Sequence, residues 1–133
     1  MEVLFVCQGN VARSQMAEAY YNYFTNSNNA KSAGVSDTAY KKYLRPVDEV
    51  VQVMKEENID VFDKKIKKLT EQMVSEADKV FVLCEKEICP LYLLNSEKVI
   101  FWSVADPYET NVDNFRKIRD LIKSKVLSII NNN

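Results

Sequence analysis

Histidine is absent from the chain, which removes the usual general base near neutral pH and the commonest zinc ligand. Cysteine is scarce and odd in number. Three thiols in 133 residues cannot all pair, and they lack a fourth good ligand for a structural zinc site. No apolar run approaches the ~20 residues that a bilayer-spanning helix needs, and the first strand begins at Glu2, so neither a membrane anchor nor a signal peptide is expected. Strong charge is also missing: a net −1 argues against nucleic acid or an anionic membrane as the main partner. These absences point to the cytoplasm, where unpaired cysteines are inert or reactive thiols rather than structural disulfides.

What is present is ordinary for a soluble globular protein, with 47% hydrophobic and 28% charged residues. The length predicts one domain over residues 1–130, able to bury a core without staples, and a frayed tail at 131–133. No internal repeat or linker interrupts it. Apolar runs at Val3–Cys7, Val80–Cys84 and Val99–Trp102 read as buried strands, with a further short strand around Lys31–Ala33. Between them lie helical patterns. Met16, Ala19, Tyr20 and Tyr23 share one face, and so do Val47, Val50, Val51 and Met54, with Pro46 in the first turn. Thr70 is placed to cap a short helix through Ala77, and Phe115, Ile118, Leu121, Ile122 and Ile129 line a closing helix. Strands alternating with helices predict an α/β fold, a single four-stranded parallel sheet with helices on both faces. In such sheets ligands gather beyond the carboxyl ends of the strands, where Cys7, Cys84 and Asp106 all fall.

The run Cys7-Gln8-Gly9-Asn10-Val11-Ala12-Arg13-Ser14 follows the first strand and opens the first helical pattern. A loop entering a helix N-terminus turns unpaired N–H groups inward and carries the positive end of the helix dipole, a cradle for a tetrahedral oxyanion. The same field, with an arginine nearby, favours a thiolate at Cys7. Arg13 supplies a planar fork for two oxygens. A buried strand-end cysteine and an unrelated surface arginine would be the blander reading, but it does not explain the apolar run, the glycine and the helix coinciding. A nucleotide-binding Walker loop is excluded, since the second glycine and the lysine are missing.

Three other features carry weaker signals. Asp106-Pro107 follows the last strand; locally it reads as a turn, though a carboxyl group there could protonate a leaving oxygen. Leu83-Cys84-Glu85-Lys86-Glu87-Ile88-Cys89-Pro90 holds two thiols five apart, either small buried hydrophobes or a pair able to close a disulfide if the segment bends. Lys64-Lys65-Ile66-Lys67-Lys68 reads as a solvated face.

The Cys7–Ser14 run resembles the loop of the low-molecular-weight protein tyrosine phosphatases and of the thioredoxin-coupled arsenate reductases that share their fold. Arg13 to Glu18, Ser32-Ala33-Gly34, Thr70 to Asp78 and Asp106-Pro107 follow in the same order. Many relatives carry a second cysteine where this chain has Ala12. The resemblance implies Cys7 as nucleophile, Arg13 and the amides of Gln8, Gly9, Asn10, Val11, Ala12 and Ser14 as the oxyanion site, Ser14 as a hydrogen-bond partner of Cys7, and Asp106 as general acid. It also implies that the strands ending at Cys7 and Cys84 lie side by side.

Cys84 and Cys89, the latter next to proline, are closer to the reductases, as is Phe115–Ile122; Tyr108 is closer to the phosphatases. The implied reaction is arsenate reduction through a Cys7, Cys84 and Cys89 relay with thioredoxin or a similar dithiol as partner and no cofactor. Phosphotyrosine hydrolysis through a phosphocysteine is the alternative. A phosphocarrier or redox-sensing module is disfavoured, because a carrier gains little from a general acid. Some reductases bind potassium beside the loop. Asn10, Glu18 and Ser32 match contributors, but Lys67 falls near a position where those relatives supply a carboxylate, so no metal is expected.

Overall fold

The computed structural model describes residues 1–132. Four parallel strands, β1 (Val3–Cys7), β2 (Ala30–Gly34), β3 (Lys79–Val82) and β4 (Val99–Phe101), form one sheet in the order β2-β1-β3-β4. The helices are α1 (Arg13–Thr25), α2 (Ala39–Lys42), α3 (Asp48–Lys55), α4 (Glu71–Glu76), α5 (Leu91–Leu94) and α6 (Val112–Asn131), with a single 3-10 turn at Lys86–Ile88. No helix among the described residues is long and apolar enough to cross a membrane.

Strand periodicity divides the core. Val3, Phe5, Cys7, Phe81 and Leu83 face a cluster built with α1, α3 and α6, while Leu4, Val6, Val80, Val82 and Cys84 face a smaller one containing Val74 and Leu93. Every β1 residue is buried because both sheet faces are covered, which is why its sequence is continuously apolar. β4 is an edge strand and only partly buried.

Several expected boundaries move. β3 ends at Val82 and β4 at Phe101, because pairing stops where the chain turns toward the site; β2 gains a residue at each end by pairing along β1. Pro46 precedes the cap Val47 rather than entering the first turn of α3. Tyr23 is 55% exposed: α1 is buried on nearly every side for its first turns and emerges only near its end. Leu121 also faces solvent, since Phe115, Ile118, Ile122 and Val126 already fill the buried stripe of α6. That helix continues through Asn131, the first residue of the expected tail, and residue 133 lies outside the described residues. Thr70 does cap α4, its Oγ1 accepting from the Met73 N–H at 3.2 Å.

Candidate active site

At the end of β1 the Cys7 sulfur is buried, 2.9 Å from the Ser14 hydroxyl, and accepts from the Asn10 N–H at 3.3 Å. The turn needed for this puts Asn10 in the left-handed region, φ 60°. Asparagine tolerates that conformation when its side chain finds local partners. Here it finds four: Nδ2 donates to Ser14 Oγ at 2.7 Å and Ser32 Oγ at 3.0 Å, while Oδ1 accepts from Gln15 Nε2 at 3.0 Å and from the Lys67 N–H at 2.9 Å.

Proton counting leaves the Ser14 hydroxyl hydrogen available to the sulfur. The Ser32 hydroxyl donates to Glu18 Oε1 at 3.0 Å and receives from Asn10. Both Nδ2 hydrogens of Asn10 are then spent, one on each serine, so the Ser14 hydrogen is left for the Cys7 sulfur. A buried carboxylate at one end thus orients a donor onto the sulfur at the other.

The helix start is open. Ala12 at the N-cap offers no side-chain acceptor, so no side chain closes the first-turn N–H groups. Val11 and Ala12 turn their side chains into the core, and the Val11 carbonyl accepts from the Val47 N–H at 3.1 Å. Gly34 presses on the loop from β2. A Cβ there would lie 2.7 Å from the Gly9 carbonyl carbon and 2.8 Å from the Asn10 nitrogen, both backbone atoms.

Arg13 is 2% exposed, and its Nη1 donates to the carbonyls of Leu83 and Val104, each at 3.0 Å. Those carbonyls belong to the segments leaving β3 and β4, so the guanidinium ties three strand ends together. Its Nη2 lies 3.6 Å from Asp106 Oδ2, and Asp106 Oδ1 accepts from the Tyr108 N–H at 3.0 Å. Asp106, Gln8 and Gly9 border a groove of about 250 Å³ walled by Tyr43 and Tyr108, whose hydroxyls hydrogen-bond to each other across its rim. That bond pushes the Tyr108 phenol up to about 12.

Cys84 is placed differently from the expectation. β1 and β3 are neighbours, but their register pairs Val6 with Val82, so Leu83 comes level with Cys7 and Cys84 lies one residue further on. Alternation puts its side chain in the cluster on the opposite sheet face. There it meets Cys89, sulfur to sulfur at 3.9 Å, without any unwinding, because the 3-10 turn and α5 fold the segment back. Cys89 donates to the Glu85 carbonyl at 3.4 Å. Burial pushes both thiols up, Cys84 strongly, where the nearby Cys89 and Cys7 sulfurs add to it and Arg13 opposes it.

Supports that the sequence reading did not single out are Gln15, Gly34 as a contact point, and Tyr43. Gly34 left a signal, being one of only two glycines; Gln15 and Tyr43 left none.

A model of the low molecular weight phosphotyrosine protein phosphatase family matches residues 2–132. Curated relatives include an arsenate reductase of Brevibacillus brevis, 31% identical over 127 residues that span 93% of this chain and 90% of that protein. Arsenate reductase 1 of Bacillus cereus is 30% identical over the same shares. Among solved structures, a low molecular weight protein tyrosine phosphatase from T. tengcongensis superposes with a TM-score of 0.83 at 28% identity, covering 100% of this chain and 99% of that one. An arsenate reductase in its phosphate-binding state gives 0.81 at 25%, covering 99% and 98%.

Proposed function

Because the chain belongs to the low molecular weight phosphotyrosine protein phosphatase family, an enzyme family, we propose that its reaction is the reduction of arsenate by a three-thiol relay. The observation that carries this choice is the Cys84–Cys89 contact at 3.9 Å, which a phosphatase does not need. Relatives about 30% identical named as arsenate reductases support it.

Arsenate enters the cradle against the first-turn N–H groups of α1. Nη1 of Arg13 is spent on two carbonyls, so its Nε and Nη2 donors form the fork for two arsenate oxygens. The Cys7 thiolate attacks arsenic, and an oxygen leaves as water after Asp106 protonates it. Cys84 then attacks the Cys7 sulfur. The S–S bond forms, the S–As bond breaks with its electron pair on arsenic, and the Cys84 proton passes to the departing arsenite. Arsenic is reduced by two electrons, which the two thiols supply. Cys89 attacks Cys84, freeing Cys7, and a dithiol protein such as thioredoxin reduces the Cys84–Cys89 disulfide by exchange. Because Cys84 starts on the other sheet face, the second step requires the 84–90 segment to swing toward Cys7 about the anchored Leu83.

Phosphotyrosine hydrolysis is the second reading, favoured by the walls that Tyr43 and Tyr108 give the groove beside Gly9 and Asp106. It would use Cys7, Arg13, Ser14 and Asp106, with water cleaving a phosphocysteine. One experiment separates the two: NADPH oxidation with thioredoxin, thioredoxin reductase and arsenate, beside hydrolysis of an aryl phosphate. Cys84→Ser and Cys89→Ser should each abolish arsenate turnover and leave aryl phosphate hydrolysis within about twofold. Arsenate turnover that survives both changes rules out the relay.

A further inference from the structure

Glu18 is an acidic side chain only 6% exposed, beneath the nucleophile loop. A buried carboxylate needs a compensating charge as well as a hydrogen bond. The hydrogen bond comes from Ser32. Two ammonium groups approach, Lys64 Nζ at 3.9 Å from Oε2 and Lys67 Nζ at 3.9 Å from Oε1. They are not equivalent. Lys64 is the more exposed, and its backbone N–H only closes a local turn to the Val61 carbonyl at 3.2 Å. Lys67 is held by its own backbone: its carbonyl accepts from the Gly34 N–H at 2.9 Å, the next residue bridges to β2, and its N–H donates to Asn10 Oδ1 at 2.9 Å. Its ammonium also donates to the Lys65 carbonyl at 3.1 Å. The lysine therefore touches both ends of the Glu18–Ser32–Asn10 segment. The expectation of a solvated face does not hold at this position, because the bridge to β2 turns the side chain inward.

We propose that Lys67 is a positioning residue for the nucleophile loop, its ammonium serving as the built-in counter-ion of Glu18. It thereby keeps the Glu18–Ser32–Asn10–Ser14–Cys7 chain in the one polarity that presents a donor to the sulfur. The assignment rests on Cys7 lying in an oxyanion loop, which both functional readings share. Burial lowers the tendency of Lys67 to hold its proton, and Glu18 counters it, as expected of a desolvated ion pair. The potassium ion that some similar reductases bind beside the loop does not fit these residues. Asn10 Oδ1 already accepts from Gln15 and Lys67, Glu18 Oε1 accepts from Ser32, and a fixed cation stands beside the carboxylate.

The test is the rate at which iodoacetamide alkylates Cys7, read by mass spectrometry of its peptide, with and without inorganic phosphate. Phosphate must slow alkylation in the unaltered protein; if it does not, the oxyanion-loop reading itself fails. Given protection, Lys67→Met should weaken it by about tenfold or more, with Lys67→Arg keeping most of it. Glu18→Gln added to Lys67→Met should recover most of the loss, since no uncompensated charge then remains. Potassium chloride in place of tetramethylammonium chloride, at equal ionic strength, should partly restore the Lys67→Met protein and leave the unaltered one unchanged. If Lys67→Met does not fold, as judged by its thermal transition, the double variant decides: folded and protected supports the assignment, unfolded or unprotected overturns it. Protection in Lys67→Met equal to that of the unaltered protein overturns it as well, as does a potassium requirement in the unaltered protein.

Discussion

Cys7 and Cys84 lie beyond the carboxyl ends of neighbouring strands, yet one sulfur accepts from the Asn10 N–H and sits 2.9 Å from the Ser14 hydroxyl while the other has only the Cys89 sulfur, at 3.9 Å. The loop around Cys7 is braced from β2, the Lys67 segment, α3 and its own helix. The segment around Cys84 is a 3-10 turn and a four-residue helix, with Leu91 74% exposed and Ile88 and Leu94 also facing solvent. Rigid donors aimed at one atom suit a group that must meet a developing charge without reorganising. Short elements with few ties are where local opening costs least. The first sulfur is built to stay still, and the second has the surroundings of one that has to travel.

The sharpest way to break this contrast is at the rigid end. Arg13→Lys keeps the charge but loses the planar fork and the two carbonyl ties, so turnover with either substrate should fall by about 100-fold or more, with little change in alkylation of Cys89. Steady-state kinetics beside thiol mapping would show it. Next in size, Gly34→Ala drives a methyl into the loop backbone. It should cost about 1–3 kcal/mol in thermal or urea unfolding and weaken phosphate protection of Cys7. The smallest effect sharpens the contrast through pH. Burial raises the Cys84 thiol, so its thiolate is the minor form at neutral pH and becomes more abundant as pH rises. Arsenite release in a single turnover should therefore increase with pH, by up to about tenfold per unit where thiolate supply limits the step. Aryl phosphate hydrolysis, which does not pass through Cys84, should lack that rise.

Much of the architecture could be read from local pattern. β1 is legible because a strand covered on both faces must be apolar throughout, and α4 because Thr70 caps it. The Cys7 loop is legible because its parts are contiguous: a strand end, a glycine, an arginine and a helix start within eight residues. The two short helices α2 and α5 left no comparable trace, since one turn of helix carries no periodicity to detect. Tyr43 and Tyr108 are far apart in sequence, and nothing along the chain announces that their hydroxyls meet.

By itself the sequence determined the α/β order, the parallel sheet and the identity of the Cys7 loop, because these depend on periodicity and on neighbours in the chain. The tertiary structure alone decided which face Cys84 occupies, because a shift of one residue in a strand reverses its side chain. It also decided the fate of Lys67. One lysine in a run of four turned inward because a bridge to β2 fixed its backbone next to a buried carboxylate forty-nine residues away. Charge runs look alike along a chain, and only packing separates the member that solvates from the member that compensates a buried charge.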